Sequence, residues 1–245
     1  MKHRNAGQLT SLDYPAPIIR KKSEYNADQM DTQSPTLQLQ EGLTIGYSQP
    51  LAAATENILL DGGTHFLIAR NGRGKTTLLR TLAKTLKQLH GSFEAQGKIQ
   101  YLPEDLRFDP EITVTDIFKA MLSKDKRESA FKLADALELD VRKPYGKLST
   151  GNRRKAHLIV AENSADLKSG SILLLDEPFS GLDAYAREIF ENMWRESSQQ
   201  VLRLVSCHPD YDSMGMPSAL VIQGEEIRHT VGHDQTWSQL KQQLN

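Results

Sequence analysis

The chain has 245 residues, with 30 Lys and Arg against 31 Asp and Glu, a formal net charge of −1 and a single cysteine, Cys207. Near-neutrality offers no general attraction to nucleic acid or an acidic membrane surface, so no nucleic-acid partner is expected. One cysteine excludes an internal disulfide framework and a multi-cysteine metal site. The length suits one large domain, or one with a small inserted lobe, able to bury a core without disulfides or metal. No run approaches the ~18 apolar residues a membrane span needs. Lys2, His3 and Arg4 are not followed by an apolar run and do not read as a secretory signal.

Residues 1–35 are polar, contain Pro15, Pro17 and Pro35, and read as a flexible N-terminal arm. At Thr36 the texture changes, because Leu37 and Leu39 alternate with polar residues as in a half-buried strand. The run His65 to Ile68 leads into glycine-rich Asn71 to Gly74, after which Leu78, Leu79, Leu82, Ala83, Leu86 and Leu89 recur at helical spacing. Lys98 to Leu102 reads as a strand stopped by Pro103. Over 111–141 the period is helical, with Ile117, Met121 and Leu122 on one face, and Phe131, Leu133, Ala134 and Leu137 on a second helix. Continuously apolar Ile172 to Leu175 suits a parallel strand covered on both faces. Ile189, Phe190, Met193 and Trp194 mark a helix, Val201 to Val205 and Ala219 to Ile222 further strands, and Trp237 to Asn245 a short closing helix. Such alternation predicts an α/β sheet with helices on both faces.

Two segments carry chemistry. Ala69-Arg70-Asn71-Gly72-Arg73-Gly74-Lys75-Thr76 follows the phosphate-loop pattern G-x-x-x-x-G-K-[ST], except that alanine stands at the first glycine. Between strand and helix, successive backbone N–H groups can point at phosphate oxygens and the helix start adds positive dipole. Gly72 and Gly74 let the backbone curl around the anion, with Asn71, Arg73 and Thr77 alongside. Lys75 reaches the β- and γ-phosphates, and the Thr76 hydroxyl can ligate Mg²⁺. The second segment, Ile172 to Pro178, delivers adjacent carboxylates at the C-terminal end of a buried strand, where open α/β sheets bind ligands. Asp176 suits Mg²⁺, and Glu177 is placed to polarise an attacking water.

Leu148-Ser149-Thr150-Gly151-Asn152 resembles the signature motif Leu-Ser-Gly-Gly-Gln of the ABC ATPase family, with departures at Thr150 and Asn152. In family order, Ser180-Gly181-Leu182-Asp183 resembles the D-loop. Val205 to His208 resembles the switch strand, whose histidine contacts the γ-phosphate. Tyr47 resembles the aromatic that stacks on adenine. At the Q-loop, Glu104 stands for the expected glutamine in the preferred register, as a further candidate metal neighbour; Gln100 is the alternative. The resemblance covers roughly residues 36–230.

It implies an ABC ATPase domain over 36–245 with the P-loop NTPase (RecA-like) core sheet, a trimmed antiparallel β subdomain and a helical lobe over about 106–155. ATP and Mg²⁺ are the implied cofactors. Lys75, Glu177 and His208 are the implied catalytic residues, and Ser149, Gly151 and Asp183 serve a dimer interface. The implied partners are a second ABC ATPase subunit, identical or related, and integral membrane transporter subunits. The implied location is cytoplasmic, peripheral on the inner face of the cell membrane. The alternative is a soluble ABC ATPase in assembly or regulation.

Overall fold

The computed structural model describes residues 34–166, 169–196, 199–207 and 214–244. The arm expected over 1–35 lies outside these residues but for its last two, as does His208.

The N-terminal strands are β1 (Thr36–Leu39), β2 (Thr44–Gly46), β3 (Pro50–Ala54), β4 (Ile58–Leu60) and β5 (Gly63–Ala69), followed by helix α1 (Lys75–Leu82). Then come β6 (Phe93–Gln96) and β7 (Lys98–Leu102), and the helices α2 (Val114–Met121), α3 (Lys124–Ala136) and α4 (Thr150–Ser164). The C-terminal part is β8 (Ser171–Leu175), α5 (Ala184–Glu196), β9 (Val201–Ser206), β10 (Ser218–Gln223), β11 (Glu226–Val231) and α6 (Trp237–Gln242).

The strands form two sheets. A three-stranded antiparallel sheet has the order β4-β1-β6, and an eight-stranded sheet the order β2-β3-β11-β10-β5-β9-β8-β7. Neighbours from β10 to β7 are all parallel, so β5, β9, β8 and β7 end at one edge. Side chains alternate between faces with a period of two. Ile172 and Leu174 therefore pack with Leu78, Leu79 and Leu82 of α1 on one face, while Leu173 and Leu175 pack with α2, α4 and α5 on the other.

The helix after the glycine loop is shorter than its periodicity predicts. It stops at Leu82, not near Leu89, because Lys84 takes a left-handed φ of 58° and the amides of Thr85 and Leu86 both return to the Arg80 carbonyl. That closure satisfies carbonyls a helix end leaves open. In the helical lobe, α2 starts from a Thr113–Asp116 capping box and buries Val114, Ile117 and Phe118. Met121, expected on the buried face, is exposed because α2 ends there and Leu122 turns inward in its place.

Candidate functional site

Because four parallel strands end together, their terminal residues converge. The Lys75 ammonium lies 3.3 Å from Glu177 Oε1 and donates to the Ala69 carbonyl at 3.4 Å, with both side chains largely buried. Beside this pair opens a cavity of about 370 Å³ lined by Asn71, Gly72, Gly74, Lys75, Thr76, Thr77, Glu104, Glu177 and Ser180. Gly72 and Gly74 have φ of 77° and 107°, a conformation costly for residues with a Cβ, and a Cβ on Gly74 would also crowd Ile45 Cδ1 at 3.2 Å. The alanine at position 69 is tolerated because Ala69 ends β5 in ordinary strand conformation.

The residues present fit a polyphosphate. The N-terminus of α1 has no side-chain cap and no acidic residue in its first turn, so its free N–H groups and positive dipole face the cavity without competition. No cluster of three or more metal-ligating side chains occurs among the described residues. Mg²⁺ characteristically binds through one or two protein oxygens with the rest from phosphate and water; of the expected ligands Thr76 and Glu104 line the cavity, whereas Asp176 is buried just past the end of β8 and is not part of the lining.

Asp176 is 1% exposed and its two oxygens are separately held. Ser206 Oγ donates to Oδ1 at 2.9 Å and the Tyr101 hydroxyl to Oδ2 at 3.2 Å. Burial and the Asp176 charge push the Tyr101 phenol up to about 12, which keeps it a donor. Glu177 has φ 46°, left-handed and uncommon for a side chain of this size. Its amide donates to Ser206 Oγ at 2.7 Å.

Glu104 lines the cavity, and buried Arg154 of α4 donates to its carbonyl at 3.1 Å and to that of Pro103 at 3.4 Å. Gln100 instead bonds Ser164 at the far end of α4, which favours Glu104 as the Q-loop position. Tyr47, just after β2, is 57% exposed, with its hydroxyl toward Arg80.

Ser149 and Gly151 do not line this cavity. Ser149 caps α4 by accepting from Asn152 N at 3.2 Å. Gly151 packs so tightly on the D-loop that a Cβ would collide with the Gly181 carbonyl oxygen. Asp183 caps α5 through the Ala186 amide at 2.7 Å and pairs with Lys155 at 3.2 Å, contacts that hold its carboxyl below the usual range, the amide being the larger cause.

Patterning alone assigns no part to Tyr101, Ser206 or Arg154. Tyr101 and Ser206 sit inside recognised strands, and only the parity shared with Asp176 in a registered sheet would have pointed to them.

A parallel sheet ending in a glycine loop, lysine and adjacent carboxylates defines a P-loop nucleotide-binding domain. The family model described as ABC transporter matches residues 58–180, half of the chain. An uncharacterized ABC transporter ATP-binding protein of Methanocaldococcus jannaschii is 38% identical over 132 residues, covering 50% of this chain and 48% of the relative. The cytochrome c biogenesis ATP-binding export protein CcmA of Novosphingobium aromaticivorans is 34% identical over 140 residues, covering 56% of this chain and 64% of the relative. The solved ATP binding subunit of an ABC transporter aligns with TM-score 0.65 at 18% identity, over 85% of this chain and 98% of that one, a likeness of fold. The chain belongs to the ABC transporter family of ATP-binding domains. It spans about half to two thirds of the length of the two curated relatives named.

Proposed function

We propose that this chain binds and hydrolyses MgATP as the energising subunit of an ABC membrane transporter, working as a head-to-tail dimer closed around nucleotide. The observation that carries the reading is the Lys75–Glu177 pair, 3.3 Å apart at the mouth of a cavity formed by an uncapped helix N-terminus.

Bound MgATP supplies the phosphoryl group to be transferred and a divalent charge to stabilise it. The amides of residues 72–77 would cradle phosphate oxygens, Lys75 would bind the β- and γ-phosphates, and Thr76 and Asp176 would hold the metal, with Glu104 as a further candidate ligand. Phosphate competes with Glu177 for Lys75, and the freed Glu177 carboxylate takes a proton from water as the water oxygen bonds to the γ-phosphorus and the bond to the bridging oxygen breaks, releasing ADP and phosphate. Tyr47 stacks on the adenine. His208 joins as the switch histidine by its family position.

Ser149 and Gly151 do not line this chain's own cavity, which supports their serving nucleotide held by a second subunit, with Asp183 at the junction. Among the described residues no helix is long and apolar enough to cross a membrane, and in this reading integral transporter subunits supply the coupling to the membrane. The chain then lies peripherally on the cytoplasmic face.

The test is purification of the tagged chain from its native host in mild detergent, with identification of what accompanies it. Stoichiometric recovery of a polytopic membrane protein supports the transporter reading. Recovery of soluble proteins alone, with ATPase activity intact, overturns it in favour of an assembly or regulatory ATPase.

A further inference from the structure

We propose that Ser206 is a positioning residue of the hydrolytic site: one hydroxyl holds the Asp176 carboxylate and the Glu177 backbone together, so the end of β9 aims both acidic residues. This rests on the ATP-hydrolysing reading above.

The geometry follows from register. Leu175 pairs with Val205, so the next residues along, Asp176 and Ser206, are neighbours just past the last pair. Both share the parity of the residues facing α1, since Leu174, Leu202 and Leu204 belong to that core. Ser206 is 1% exposed, so water is poorly placed to replace its contacts.

The proton assignment is forced. The Glu177 N–H can only donate, so at 2.7 Å the serine oxygen accepts there. The one hydroxyl hydrogen is then given to Asp176 Oδ1 at 2.9 Å. With Tyr101 on Oδ2, rotation of the carboxylate is blocked from both sides. The Glu177 amide is tied down at the residue with φ 46°, the conformation from which its side chain reaches Lys75. Ser206 does not itself line the cavity, so it acts through the two acids and not on the phosphate itself.

The full chain is compared with Ser206→Ala and Tyr101→Phe, both of which remove an oxygen and add no bulk. The first readout needs no nucleotide: amide hydrogen exchange at Glu177. Ser206→Ala speeds it about 2- to 13-fold, the range that loss of one hydrogen bond of ordinary net strength gives. Tyr101→Phe leaves it unchanged. The second is the Mg²⁺ concentration that half-saturates tight ATP binding, which rises about 10- to 100-fold in Ser206→Ala, as for other partners that orient a metal ligand. ATP affinity in chelator stays within about twofold on the same argument, because the phosphate loop is untouched.

Unchanged exchange at Glu177, or an unchanged Mg²⁺ requirement with only a lower melting temperature, would make Ser206 plain core filling and overturn the proposal. If the alanine variant does not fold, Ser206→Cys keeps the volume while supplying only a weak donor, and is read the same way. A wild-type chain that binds no ATP defeats the ATPase reading instead, and exchange in the nucleotide-free chain still decides the clamp.

Discussion

Replacing Glu162 by alanine removes the carboxylate partner of a buried arginine. Glu162 of α4 receives Arg203 of β9 through Nε at 3.0 and 3.2 Å and Nη2 at 2.7 Å, and Trp194 of α5 through Nε1 at 2.7 Å. The arginine and glutamate side chains are 3% and 6% exposed. Charges about 4 Å apart at an effective dielectric near 20 attract by about 4 kcal/mol. That agrees with the ~3–5 kcal/mol typical for removing one partner of a buried pair. For a chain of this size each kcal/mol shifts the melting temperature by about 2–4 °C, so Glu162→Ala should lower it by roughly 6–20 °C. The assay is thermal and urea unfolding of Glu162→Ala, Arg203→Met and the double variant. The double variant should lose less than the sum of the singles, because each single change already breaks the shared Arg203–Glu162 contact. A single-variant loss below about 1 kcal/mol, or strict additivity, would refute the assignment of this pair as a buried brace.

Other outcomes follow from the site and its surroundings. Glu177→Gln should cut MgATP turnover by about 10²- to 10⁴-fold, the range for removing a general base, while ATP binding persists; undiminished hydrolysis in a steady-state phosphate assay removes Glu177 from the chemistry. Gly151→Ala should push the D-loop away from the signature helix, because the added Cβ meets the Gly181 carbonyl. The expected cost is about 1–3 kcal/mol by thermal melting, with weaker nucleotide-driven dimerisation in the Glu177→Gln background by size exclusion. His157 is pushed down to about 4, first by burial and then by Arg154 and Arg153. With the folded value below the unfolded one, the unfolded chain binds the extra proton, so stability falls as pH drops from about 6.5 to 4, by at most about 3 kcal/mol from this group. Urea unfolding across that range checks it, and His157→Phe should flatten the slope.

What could be read from sequence was whatever a local pattern encodes. Gly72, Gly74, Lys75 and Thr76 are contiguous, so loop chemistry and helix dipole are specified within eight residues. The apolar run from Ile172 to Leu175 announced a doubly covered strand, and with it the placing of Asp176 and Glu177 at a strand end. The short strands β3, β6 and β11 are not legible in the sequence, since Ala-rich or charged segments gain strand form only by pairing with partners distant in the chain. The length of α1 was overestimated for a related reason, because Leu86 and Leu89 keep helical spacing after the backbone has turned at Lys84.

The sequence by itself therefore determined the phosphate loop, the acidic strand end and the order of the motifs, because each depends on neighbours along the chain. Only the tertiary structure decided that Glu177 meets Lys75, that Tyr101 and Ser206 grip opposite oxygens of Asp176, and that Gln100 points away. Those contacts join residues from elements far apart in the chain. They exist because parallel registry brings the strand ends to one edge, and a period of two selects which side chains face α1 there.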